Sequence, residues 1–395
     1  MREVVSDLTG FVPPVYPFDK LTEFVDLANR LAGGMVDLSV GTPFDPPSAK
    51  VVEALGHSGA ERGYPPALGS SELREAAARW VERRFAVHVD PASELAACIG
   101  TKEFVAGVPQ WLRLRSPGKD TVLYPSLAYP TYEMGAILAG CRSVAVPMRP
   151  DGGLDLDAVA DEDAERALCL WVNSPGNPAG QLEDLAACAA WGRDRSVPVF
   201  SDECYVEFTW TGAGRSILEH GLDGVIALHS LSKRSNLAGV RAGIYAGDPD
   251  VVGYLAAVRR HAGLMVPGPV QHAAAVAFDD DESVRAQRQA YEARLAYLAD
   301  VLTQAEIPAS TPGGGFYLWV AVPDRFASAA GGSAVVSPAF SLARWLAERA
   351  GVLVSPGDAY GPAGRGHVRF ALVQPIERLQ LIGERLAGSG APAVT

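Results

Sequence analysis

Apolar residues in this chain fall into short runs separated by segments of helical periodicity. From about residue 72 the pattern is regular: a helix over 72–86, an apolar run over 96–100 and a helix from about 102. Strand 121–124, helix 129–139 and strand 143–147 come after these. Next come strand 167–172, helix 181–193, strand 197–201, and strands 224–229 and 240–246. Strands alternating with helices of this length predict an α/β fold: a mainly parallel sheet covered by helices in a large domain. Before it, residues 19–32 read as a helix and 36–41 as a short strand running into a turn at Gly41-Thr42-Pro43. The charged, periodic segment 282–305 reads as one long helix leaving the sheet. Strand 316–322, helix 339–350, strands 352–354 and 367–372, and a closing helix over 375–387 then predict a smaller α+β unit. The small-residue stretches 313–315 and 327–333 read as loops. The Pro- and aromatic-rich segment 10–18 reads as an extended arm that packs on another part of the protein or on a second subunit. The domain reading is therefore an arm with part of the small domain over 1–45, a large domain over 46–280 and a small domain over 281–395.

Composition narrows the class. With 395 residues, 48% of them hydrophobic and 20% charged, the chain has ordinary globular values. A formal net charge of −12 argues against nucleic acid as the main partner. Five cysteines, an odd number and with no Cys-x-x-Cys spacing, read as buried free thiols in a reducing compartment. The first residues carry no apolar signal segment, and no run approaches the ~18 apolar residues of a membrane span, so a cytoplasmic enzyme is expected. The seven histidines show no His-x-x-x-His or His-x-His spacing, so no metal is expected.

The chemistry-bearing residues gather where the predicted strands end. Ser230, Ser232 and Lys233 follow strand 224–229, and Arg241 lies shortly after. Ligands of open α/β sheets bind at the carboxyl ends of strands. Two hydroxyls and a guanidinium suit a phosphate, and the Lys233 amine suits an aldehyde beside it. A surface loop with a solvated lysine is the plain alternative. Asn177, in Asn173-Ser174-Pro175-Gly176-Asn177-Pro178, follows strand 167–172; it can donate to a ligand hydroxyl or serve only turn geometry. Asp202 follows strand 197–201, where a buried carboxylate needs a cation such as a protonated ring nitrogen, or simply caps the next helix. Tyr205 reads as a hydroxyl donor or as a core tyrosine. Tyr129 lies after strand 121–124, where an aromatic ring can stack on a flat ligand. Gly100-Thr101-Lys102 opens a helix, and helix N-termini bind anions. Tyr64 sits in a loop ahead of the sheet. Arg369, inside an otherwise apolar strand, needs a counter-charge, either a substrate carboxylate or a salt bridge at a sheet edge or interface.

These residues, in this order and over nearly the whole length, resemble the fold-type I pyridoxal phosphate (PLP) aminotransferases of class I/II. The resemblance implies a fold-type I PLP-transferase fold, PLP as cofactor, amino-acid and 2-oxo-acid substrates, and a homodimer with shared active sites. It implies that Lys233 bonds to the cofactor aldehyde and shuttles the proton, and that Asp202 pairs with the pyridine nitrogen. Asn177 and Tyr205 would contact the ring oxygen, and Tyr129 would stack on the ring. Gly100, Thr101, Lys102, Ser230, Ser232 and Arg241 would bind the phosphate, with Tyr64 reaching in from the other subunit. Arg369, helped by Gly41 and Asn177, would hold the substrate carboxylate. The family usually has Thr where Ala179 stands. The stretches 15–19, 37–43, 127–132 and 229–247 are most similar to actinobacterial N-succinyldiaminopimelate aminotransferases of lysine biosynthesis. Those enzymes use glutamate and 2-oxoglutarate as the second pair. Other expectations are an aspartate, alanine, aromatic or free-diaminopimelate aminotransferase, a PLP carbon–sulfur lyase, or a non-catalytic PLP-binding regulatory module.

Overall fold

The computed structural model describes residues 10–14, 19, 21–327 and 337–388. Residues 15–18 of the expected arm, and 328–333 of the expected small-residue loop, lie outside these. The described residues form twelve strands: β1 (Val36–Asp37), β2 (Leu95–Cys98), β3 (Thr121–Pro125), β4 (Arg142–Val146), β5 (Ala167–Asn173), β6 (Val199–Asp202), β7 (Val225–Ser230), β8 (Gly243–Gly247), β9 (Tyr317–Ala321), β10 (Val352–Leu353), β11 (Ser355–Pro356) and β12 (His367–Ala371).

Seven of them make one sheet in the order β2-β8-β7-β6-β5-β3-β4. All seven positions of β5 are buried, as expected of a central strand covered on both faces. Leu170 and Val172 join the apolar layer on one face, with Trp80 and Phe278. Cys169 and Trp171 join the layer on the other, with Phe104, Tyr132, Phe200 and Tyr245.

The strands β4, β3, β5, β6 and β7 are parallel, but β8 runs antiparallel to both of its neighbours, β7 and β2. Periodicity carries no strand direction, so the sequence pattern does not show this reversal. The link from β7 to β8 holds only a four-residue helix, Leu231–Arg234, too little for a parallel return. Its consequence is functional: the amino end of β8 lies on the same side as the carboxyl ends of β2 and of the parallel strands.

A second core takes Phe24, Leu298, Leu302, Leu318, Leu342, Leu346, Phe370 and Ile382. β1 pairs with β10 in parallel, Val36 opposite Val352, so residues near the start of the chain complete this C-terminal core. β11, β12 and β9 form an antiparallel sheet with β12 in the middle.

Several expected boundaries shift. The helix expected over 19–32 is Thr22–Asn29, and the strand expected over 36–41 has two residues. The helix expected from 181 begins at Leu185, because the Asp184 carboxylate accepts from the Ala187 amide as its cap. The helix expected from 129 begins at Thr131, which leaves Tyr129 in the loop before it. Helices Ala49–Gly56, Pro249–His261 and Gly268–Phe278 are additional to those expected. A signal for the second is present, since Asp248 caps a helix that opens on Pro249.

An ion pair with a fully buried arginine anchors the helix Thr101–Arg115 that starts at the ligand edge of the sheet. Arg259 is fully buried and donates through Nη1 and Nη2 to the two carboxylate oxygens of Glu103 at 2.7 and 2.9 Å. Phe104 and Trp111 flank its guanidinium. Removing one partner strands the other charge in a poorly solvated place. Glu103→Ala is therefore expected to destabilise the fold by roughly 3 kcal/mol. Replacing both residues by Met should cost less than Glu103→Ala alone. Thermal unfolding of the two variants checks this, and a double variant no more stable than the single one would refute the account.

Candidate active site

The strand ends converge on a cavity of about 440 Å³. β7 delivers Ser230 and the turn that comes after it. The Ser230 hydroxyl accepts from the Ser232 amide at 3.1 Å, which pins the start of helix Leu231–Arg234. Lys233 lies on that turn, and its Nζ donates to the Gly41 carbonyl. Burial draws this amine down to about 8, and the guanidiniums of Arg369 and Arg241 push the same way.

The reversed β8 brings Arg241 to the same rim. Arg241 has φ +61° and donates through Nη1 to the Ala238 carbonyl at 2.8 Å. Gly100, at the end of β2, has φ +69°, and any Cβ there would overlap the Arg241 guanidinium. Helix Thr101–Arg115 starts at this point. Its free amides, the two serine hydroxyls and Arg241 together form a cradle for a multiply charged anion.

β6 ends in Asp202, which is 7% exposed. Its Oδ2 accepts from the Tyr132 hydroxyl at 2.9 Å and its Oδ1 from the Cys204 amide at 3.2 Å. The second contact closes a local turn and caps no helix: the next helical turn, Val206–Phe208, starts after Tyr205 without a side-chain cap, so the helix-capping reading of Asp202 does not hold. Among the described residues no cation forms an ion pair with Asp202, and burial raises its pKa.

β5 ends in Asn173, whose Nδ2 donates to the Asp202 carbonyl at 2.8 Å and whose Oδ1 accepts from the Asn177 amide at 2.7 Å. Asn177 is thereby held over the cavity. Its Oδ1 accepts from Arg369 Nη1 at 2.8 Å. Arg369 Nη2 donates to the Ser39 carbonyl at 2.7 Å, and its Nε is buried with no partner among the described residues. Arg369 is 3% exposed and stands on the middle strand of its sheet, not an edge; among the described residues no acid pairs with it.

Tyr205 lines the cavity, and its hydroxyl shares a 2.8 Å hydrogen bond with that of Tyr317. Tyr129 and Lys102 line it as well, with the Lys102 amine 6.0 Å from the Tyr129 ring centre. Thr101 Oγ1 and Cys204 Sγ are 3.2 Å apart on the same wall. All the anticipated site residues therefore border this cavity or its phosphate-side rim, except Tyr64, which is 96% exposed and apart from it.

Cys204, Tyr132 and Tyr317 are among the lining residues that escape the sequence reading. Cys204 lies two residues from Asp202, and Tyr132 three residues after Tyr129, so spacing hints at both. Tyr317 shares a strand face with Arg369 only because β9 and β12 pair with Tyr317 opposite Ala371, a register no local signal carries. All five cysteines are free thiols, as expected; three are buried and Cys141 and Cys204 are partly so. Among the described residues no helix is long and apolar enough to cross a membrane.

Residues 33–383 match the model of the family "Aminotransferase class I and II". A probable aminotransferase of Mycobacterium tuberculosis is 41% identical over 381 residues, 94% of this chain and 85% of its own. The 4-dedimethylamino-4-oxo-anhydrotetracycline transaminase OxyQ of Streptomyces rimosus is 39% identical over 94% of this chain and 99% of its own. Among solved structures, a probable N-succinyldiaminopimelate aminotransferase from Thermus thermophilus is similar with a TM-score of 0.82 at 30% identity, covering 94% of this chain and 99% of its own. With the family model spanning most of the chain and these relatives matching nearly all of it, the chain belongs to the class I and II aminotransferases, fold-type I enzymes that use pyridoxal phosphate.

Proposed function

We propose that this aminotransferase moves the amino group between N-succinyl-L,L-diaminopimelate and 2-oxoglutarate, in lysine biosynthesis, as a cytoplasmic homodimer. The observation that carries the substrate is the likeness to the Thermus thermophilus structure, at 30% identity over 94% of the chain. In this reading residues 46–280 form the cofactor unit, and residues 1–45 with 281–395 the smaller one.

The side chains fit the cofactor. Asp202 is a buried carboxylate with no cationic partner among the described residues, and a protonated pyridine nitrogen is such a partner. Ser230, Ser232, Arg241 and the Gly100–Lys102 turn would take the phosphate. Tyr129 would stack on the ring, and Asn177 and Tyr205 would donate to its oxygen. Tyr64, exposed on its own chain, would reach the partner subunit's phosphate. When bound, the cofactor supplies an aldehyde for the amino group and a ring that accepts the electron pair left at Cα.

The remaining work falls to the chain. Arg369 would seat the α-carboxylate with Nε and the outer edge of its fork, since Asn177 and Ser39 already orient the guanidinium from behind. Gly41, which holds the Lys233 amine through its carbonyl, would line the carboxylate from the other side. Lys233, its pKa drawn down to about 8, is a base strong enough to take the Cα proton and weak enough to return it. Asp202 faces a cation in this arrangement, which restores the ionised form that burial disfavours. The single Cβ missing from Gly100 leaves Arg241 its place.

One observation supports a second reading. OxyQ is 39% identical, and its name records amination of a polycyclic ketone. A bulky keto acceptor is therefore the alternative for the second half-reaction.

Four outcomes are expected. Added glutamate and N-succinyl-L,L-diaminopimelate should each bleach the loaded protein's visible absorption and release a 2-oxo acid; bleaching by glutamate without the succinylated donor would discard the lysine-pathway substrate. In steady-state assays Lys233→Ala should lower turnover at least about 100-fold. By cofactor titration Gly100→Ala should weaken binding about tenfold or more, since it displaces one charge-assisted phosphate contact. In the apo-protein the Lys233 amine gains its reactive, neutral form as pH rises through about 8. The rate of cofactor reconstitution should therefore climb as pH passes through that value and level off above it, and a climb continuing into the range of an ordinary lysine would contradict the depressed amine.

A further inference from the structure

Tyr317 lines the cavity and touches both Tyr205 and Arg369. Its hydroxyl is 2.8 Å from that of Tyr205. Its ring lies 4.2 Å below the Arg369 guanidinium, which Tyr360 covers from another side at 4.9 Å. Any Cβ on Gly41 would overlap the Tyr317 hydroxyl, so the glycine leaves the room that the hydroxyl fills. Tyr317 is 1% exposed and Tyr205 7%, so water does not replace these contacts.

Two phenols that share one hydrogen bond have one proton left over. Among the described residues the Tyr205 hydroxyl has no other side-chain hydrogen-bond partner. A guanidinium over a phenol ring withdraws charge from its oxygen and makes it the better donor. The Arg369 cation thus favours Tyr317 as donor and Tyr205 as acceptor, which sends the Tyr205 proton into the cavity. A hydroxyl that accepts a hydrogen bond also donates more strongly.

We propose that Tyr317 is a positioning residue that couples the carboxylate seat at Arg369 to the Tyr205 hydroxyl. It orients and strengthens the bond Tyr205 makes to the cofactor's ring oxygen. It relaxes that bond when a carboxylate neutralises Arg369. This rests on the reading in which Tyr205 faces the ring oxygen.

The test is a pH titration of the visible absorption of the PLP-loaded protein, in wild type, Tyr205→Phe, Tyr317→Phe and the double variant. A donor at the ring oxygen stabilises negative charge there and lowers the midpoint. Tyr205→Phe should raise the midpoint, and Tyr317→Phe should raise it less, by roughly 0.3 to 1 unit. The double variant should coincide with Tyr205→Phe, because Tyr317 acts only through Tyr205. Saturating succinate, as an unreactive carboxylate, should raise the midpoint more in wild type than in Tyr317→Phe. A Tyr317→Phe midpoint equal to wild type overturns the inference, as does a shift that adds fully to that of Tyr205→Phe. A lowered melting temperature with no midpoint shift overturns it too, because the role would then be structural. No shift in Tyr205→Phe itself overturns the placement of Tyr205, and is told apart from the other failures by that variant alone. The double variant removes both hydroxyls and strands neither, so it remains measurable if a single variant folds poorly.

Discussion

The structure turns on two buried ionisable groups that form no ion pair among the described residues. Asp202 and Arg369 are each at least nine-tenths buried, on different sheets, and both open into one cavity. Burying a lone ion is expensive, and proteins commonly avoid it by neutralising the group or pairing it. The neighbouring Glu203 and His229 show that ordinary solution. Their Oε2 and Nε2 are 3.5 Å apart, and burial pushes the carboxyl up to about 8 and the imidazole down to about 3, so the pair is neutral. Asp202 has hydrogen bonds from Tyr132 and Cys204 but no cation, and Arg369 has two carbonyl-type acceptors but no acid, among the described residues. In the proposed reading a ligand of opposite charge completes each site.

Sheet polarity decides why these groups meet. Carboxyl ends of parallel strands share one edge, so loops after β3, β5, β6 and β7 are neighbours without special provision. Arg241 stands before a strand, and reaches that edge only because β8 is reversed. The antiparallel turn then costs a left-handed φ at Arg241 and another at Asn236, and the compensation is a guanidinium placed beside Gly100.

This division explains what the sequence could and could not reveal. The alternation of runs marks nearly all the strands of the large sheet, since buried parallel strands read as unbroken apolar runs such as 167–172. Residues fixed by a strand end, including Lys233, Asp202 and Asn177, are legible because their position depends on the run before them. Arg369 is legible for a different reason: a charge inside an apolar strand is conspicuous wherever it lies. Tyr317 is illegible because its meaning depends on pairing between β9 and β12, which are far apart in the chain, and on a glycine in a third segment. The orientation of β8 is illegible because direction leaves no trace in periodicity. Tyr64 is named from resemblance alone, and a single chain leaves it on the surface.

The lysine itself raises one more physical question: what keeps a four-residue helix in place while its amine works. Arg234, the next residue, points the other way and is 3% exposed. Its Nε donates to Glu207 at 3.1 Å, its Nη2 to Asp281 at 3.0 Å, and its fork also reaches the Ala277 and Phe278 carbonyls. Glu207 in turn accepts from Trp80 and Arg84, and Trp80 and Phe278 flank the guanidinium. One side chain thus ties the turn to the loop after β6, to the helix end at Phe278 and to the start of helix Asp281–Gln304. Successive residues divide the labour: a rigid arginine fork anchors the backbone from behind, while the longer, more flexible lysine stem reaches into the cavity in front. Because the anchor is multiply bonded and buried, motion of the Lys233 amine would cost rotamer changes in its own stem and leave the backbone still, as the proposed double role of bonding partner and base requires.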